Sequence, residues 1–99
     1  MPYVIFEVKA AEAGKISTML QDDIVNRQSI VIREASSLDM KGEGSYLKIE
    51  GSKEGLQRAE ALAKELGMKK LTEKKASKIN EKIKEQEDSA ATGMGMIFD

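Results

Sequence analysis

The chain has 99 residues, 40% hydrophobic and 33% charged, with a formal net charge of −1, the make-up of one folded domain rather than a disordered segment. It contains neither cysteine nor histidine. Disulfides, thiolate zinc sites, iron–sulfur clusters, Ser-His-Asp and Cys-His constellations and the commonest neutral-pH general base are thereby excluded. Only four residues are aromatic (Tyr3, Phe6, Tyr46, Phe98), so the core must come from Ile, Val, Leu, Met and Ala, and so light a core without a disulfide favours a further interface with a second copy.

The opening Met1-Pro2-Tyr3-Val4-Ile5-Phe6-Glu7 is apolar for four residues and then charged, far short of a secretory or membrane-spanning run, and the expected location is cytoplasmic. Tyr3–Lys9 is short and rich in β-branched and aromatic residues, which predicts a strand. Ile16, Met19 and Leu20, at three- and four-residue spacing and with Val25 as a further apolar position, predict an amphipathic helix over Ala10–Asp23. Ser29–Ala35 reads as a second strand, and the glycine-containing Ser36–Ser45 reads as the hairpin loop that leads to a third, Tyr46–Glu50. In that third strand Leu47 and Ile49 alternate with Tyr46, Lys48 and Glu50, as in a strand with one covered face.

The next helix has the clearest signature. Ser52 stands at an N-cap position, Leu56, Ala59, Leu62, Ala63 and Leu66 form one stripe, and Gly67 is placed to end it. From Thr72 to about Asp88 a charged helix follows with Ala76, Ile79 and Ile83 as a narrow apolar seam. Residues 1–91 then form the domain, and residues 92–99 are either a terminal strand or an apolar tail. The predicted fold class is α+β: a two-layer sandwich in which helices cover a small, mainly antiparallel sheet, in the order β-α-β-β-α-α with or without a last strand. If the tail is a strand, this order resembles a ferredoxin-like split βαβ unit with an additional helix between its second helix and its last strand.

Residues 46–66, YLKIEGSKEGLQRAEALAKEL, resemble the closing strand and helix of KH RNA-binding domains. Leu47, Ile49, Gly51, Leu56, Ala59 and Leu62 fill the apolar-x-apolar-x-Gly and Ala-x-x-x-apolar positions of that family. The resemblance implies a KH-like packing unit over about a fifth of the chain. The GxxG loop through which the family holds RNA is absent, only Gly14-Lys15-Ile16 retaining a fragment of it.

Function is approached through charge and through the tail. Lys69, Lys70, Lys74, Lys75, Lys78 and Lys82 could flank a nucleic-acid backbone, whereas pairs such as Lys78–Glu81 and Glu81–Lys84 would make the same residues a solvated helix face. Met94, Met96, Ile97 and Phe98 are candidate partner contacts, by strand pairing to another copy or another protein. Asp22 and Asp23 are adjacent carboxylates that could face a hard cation, without EF-hand spacing. Neither Lys41-Gly42-Glu43-Gly44-Ser45 nor Gly93-Met94-Gly95 has the context of a phosphate loop. No cofactor and no catalytic residue is indicated. The leading expectation is a small non-enzymatic interaction or accessory module that self-associates or binds a protein partner; an RNA- or DNA-binding domain is the alternative, and a small metal-binding or regulatory domain the third.

Overall fold

The computed structural model describes residues 2–38 and 44–98, with side chains through Glu87. Four strands form one sheet: β1 (Tyr3–Val8), β2 (Ser29–Glu34), β3 (Ser45–Glu50) and β4 (Lys69–Lys70), in the order β2-β3-β1-β4 with every neighbouring pair antiparallel. The helices are α1 (Gly14–Leu20), α2 (Lys53–Leu66) and α3 (Glu73–Phe98). Strand β3 lies between β1 and β2, and β1 between β3 and β4, so two βαβ units interlock in a ferredoxin-like order, with Lys69–Lys70 and not the C-terminal tail as the last strand. The extra helix follows the last strand instead of preceding it.

Each face of the sheet has its own core, as the two-residue period of a strand requires. Val4, Phe6 and Val8 of β1 with Leu47 and Ile49 of β3 pack against Ile16 and Met19 of α1 and Leu56, Ala59 and Ala63 of α2. On the reverse face Ile5, Tyr46 and Leu71 pack against Ala76, Ile79 and Ile83 of α3. The α+β sandwich therefore carries a third layer. Lys48 and Tyr46, expected on the open side of β3, are buried together with Leu47 and Ile49, because a central strand between two helical layers has no solvent face.

Local signals account for most boundaries. The Ser52 hydroxyl accepts a hydrogen bond from the Gly55 amide at 3.1 Å, satisfying one of the free N–H groups at the start of α2. At its other end Gly67 takes φ 74°, and the Met68 amide donates to the Ala63 carbonyl at 2.8 Å, a left-handed cap that glycine adopts without a Cβ clash. The predicted helix Ala10–Asp23 is shorter than expected: a 3-10 turn spans Ala10–Glu12, α1 begins at Gly14, and the chain turns again at Asp22. Strand β4 was not anticipated, since two lysines offer no alternation to read.

The terminal strand, one of the two readings of the tail, is replaced by helix. Residues 92–98 continue α3, whose 26 residues extend about 39 Å at the α-helical rise. No proline interrupts the amide ladder there, and the apolar Met, Ile and Phe positions suit a helix as well as a strand, so Gly93 and Gly95 weaken α3 without stopping it. The side chains of Met94, Met96, Ile97 and Phe98 lie outside the described residues, as does half of the predicted hairpin loop, residues 39–43.

Candidate interaction surfaces

Asp22 closes the turn between α1 and β2. Its Oδ1 accepts hydrogen bonds from the amides of Ile24 (3.0 Å) and Val25 (3.1 Å), and its Oδ2 accepts from the Arg58 guanidinium at 2.9 Å. The Val25 amide bond, with help from Arg58, holds the Asp22 carboxyl below its ordinary value against a smaller opposing effect of burial. Asp23 is exposed and takes no part in this turn. Asp22 thus ties the turn that follows α1 to α2, which is a structural use of the residue suggested as a cation ligand. Among the described residues no group of three or more acidic side chains is placed to hold a metal ion.

The six lysines do not form one surface. Lys70 points to the α2 side of the sheet, where it pairs with Glu60. Lys69 is opposite Glu7 in register and so belongs to the α3 side. Lys74, Lys75 and Lys78 are exposed on α3 and Lys82 is half-buried. The pairs Lys78–Glu81 and Glu81–Lys84 that would neutralise this helix are not among the ion pairs of the described residues.

Beneath α3 lies a sheet face richer in polar groups than the opposite one. Tyr3, Lys48, Tyr46 and Arg33 stand on it, with Glu7 and Glu50 at its ends. The Lys48 ammonium lies 5.4 Å from the centre of the Tyr3 ring, a cation–π contact, although the residue is only 7% exposed. Asn80 of α3 is 8% exposed and its Oδ1 accepts no hydrogen bond, an arrangement that costs about 1–3 kcal/mol. A latch fastens the helix to β2. Arg33 Nε donates to Gln86 Oε1 at 3.0 Å, Gln86 Nε2 donates to the Ser37 carbonyl at 2.6 Å, and Arg33 lies 3.7 Å from Glu87.

The outer edge of β2 is a separate surface. The Ala35 amide donates to the Gly44 carbonyl, so Ala35, Arg33, Val31 and Ser29 direct their backbone groups toward β3, and Ile30, Ile32 and Glu34 direct theirs outward. Arg33 Nη1 occupies the outward Ile32 carbonyl at 2.9 Å. Ile24 and Ile32 are the exposed large aliphatic residues among those described, at 38% and 41%.

An open hollow of ≈ 780 Å³ separates the start of β1 from the first turn of α3, bordered by Pro2, Tyr3, Leu71, Thr72 and Ala76. Its Thr72 hydroxyl already accepts from the Lys75 amide at 3.4 Å, as a helix cap. The positions that carry the KH resemblance are packing positions here: Leu47, Ile49, Leu56 and Ala59 are in the core and Leu62 borders it.

The chain matches no family model, no curated protein and no solved structure. Sequence reasoning named self-association through a sheet edge or the tail without placing that edge at β2, and missed the Arg33–Gln86 latch. The edge had a signal in Ile30-Val31-Ile32, three consecutive aliphatic residues where a half-buried strand needs only alternate ones.

Proposed function

We propose that this protein is a small non-enzymatic interaction module that associates with a second copy of itself through β2. The observation that carries the reading is the outer edge of β2, which no strand among the described residues pairs and on which outward amides at Ile30, Ile32 and Glu34 coincide with the exposed Ile32 side chain.

Pattern selects one register. A two-fold axis through Val31 sets Ile30 opposite the other copy's Ile32, Ser29 opposite Arg33, and Gln28 opposite Glu34, with no like charges facing. A shift of the axis to Ile32 would set Glu34 against Ile30; a shift to Ile30 would set Arg27 against Arg33. In the Val31 register the outward backbone groups of Ile30 and Ile32 are in phase, while the Gln28 amide and the Glu34 carbonyl stay with Val25 and Ser37, and the Ile30–Ile32 pairs extend the aliphatic face that Ile30 already shares with the α1–α2 core. The Arg33 guanidinium leaves the Ile32 carbonyl, which receives an amide from the partner strand instead.

Sedimentation velocity over a concentration series tests this reading. The wild-type chain is expected to pass from monomer to dimer in the micromolar range, as befits a small interface. Ile32→Lys should remain monomeric with an unchanged circular dichroism spectrum. A wild-type chain that stays monomeric throughout, or an Ile32→Lys variant that dimerises equally well, would reject β2 as the contact.

A further inference from the structure

We infer that the sheet face beneath α3 is a latent binding site for single-stranded nucleic acid, and that α3 is its cover. The inference is independent of pairing through β2, which uses the strand's edge and not this face.

The two faces of the sheet differ in kind. Against α1 and α2 the strands present Val4, Phe6, Val8, Leu47 and Ile49, a set needed only for packing. Against α3 they present Tyr3, Ile5, Tyr46 and Lys48, with Arg33 opposite Tyr46 on the neighbouring strand. Tyr3 is paired with Glu50 and Tyr46 with Glu7, so the rings are four strand positions apart, about 13 Å along the strands. Lys48 lies between them, across from Ile5. Two aromatic platforms with a cation between them form the arrangement that stacks bases and meets the intervening phosphate.

The closed form leaves these groups poorly served. Lys48 belongs to no ion pair among the described residues, its contact being the Tyr3 ring. Asn80 brings a carbonyl into the same layer that accepts no hydrogen bond. The cover itself is held by a narrow seam of Ala76, Ile79 and Ile83 and by the Arg33–Gln86–Ser37 latch. A ligand that binds only the uncovered face is weakened by the fraction of molecules in which that face is open, and a change that opens α3 returns the lost affinity. Glu7 and Glu50 at the ends of the face limit the length of strand it takes; Lys69, opposite Glu7, offsets one of them.

The test uses the full chain and a fluorescein-labelled single-stranded RNA of mixed sequence, followed by fluorescence polarisation. Ile79→Ala/Ile83→Ala should release α3 while amide exchange in β1 and β3 stays protected, and should tighten RNA binding by about tenfold or more. Adding Tyr46→Ala to that variant should return binding to the wild-type level. If the double variant does not fold, Gln86→Ala loosens only the latch and should tighten binding by a smaller factor, about two- to threefold. No gain in the folded double variant, no gain with Gln86→Ala, or a gain that survives Tyr46→Ala would each overturn the proposal, the last by assigning binding to the lysines of α3.

Discussion

A single carboxylate shows how far side-chain chemistry organises this chain. Asp22 accepts two backbone amides and the Arg58 guanidinium, and its pKa is lowered because those donors favour the charged form. A depressed folded pKa means that the contribution is fully present above the unfolded value of 3.8 and is lost as pH falls through the lower folded value. Asp22→Asn should therefore destabilise the protein relative to wild type at neutral pH, and the gap in urea midpoint should close well below pH 3.8. A gap that is the same at both ends would show that the carboxylate's charge plays no part. Arg33 has the opposite character: one side chain serves the edge carbonyl of Ile32, the amide of Gln86 and the carboxylate of Glu87. It does so through three different nitrogens, Nη1 on the β2 edge and Nε and Nη2 on the cover helix.

At the scale of elements, α2 and α3 contrast. Helix α2 has a side-chain N-cap, a glycine C-cap and a stripe that enters the main core, so its boundaries follow from its own residues. Helix α3 is 26 residues long but meets the sheet through a narrow seam. Ile83 is almost fully buried there, and Ile83→Ala should cost about 2–5 kcal/mol. Because α3 covers only one face, its packing can open while the α1–α2 core holds. Amides at 73–87 should exchange with solvent ahead of those in β1 and β3, and Ile83→Ala should widen the difference. Simultaneous exchange of helix and sheet would show that α3 is as firmly held as the strands.

On the scale of the whole molecule, the sheet has, among the described residues, one long edge without a strand partner, at β2, and two covered faces. No helix among the described residues is long and apolar enough to cross a membrane. If β2 pairs with a second copy, folding and association are linked, and the melting temperature must rise with protein concentration. A tenfold increase adds about 1.4 kcal/mol per dimer at saturation, a shift of a few degrees for a domain of this size. Calorimetry across such a range should show it for the wild-type chain and not for Ile32→Lys.

The sequence by itself determined the α+β class, the three long strands and α2, because alternation, the Ser52 cap and the Gly67 stop are local features that act within a few residues. It also carried Ile30-Val31-Ile32, although the meaning of that run was not legible until β2 was known to be an edge. Tertiary structure decided the rest. The strand at Lys69–Lys70 exists because β1 offers it a partner, not because lysine favours extended backbone. Tyr46 and Lys48 are buried because α3 crosses their face, a placement that no spacing within residues 46–50 encodes. The six lysines were one run in the chain but separate across the sheet, since successive strand residues point to opposite faces and send Lys70 to Glu60 and Lys69 toward α3. Long-range pairing assigns faces and edges, and a linear pattern records only which residues could occupy them.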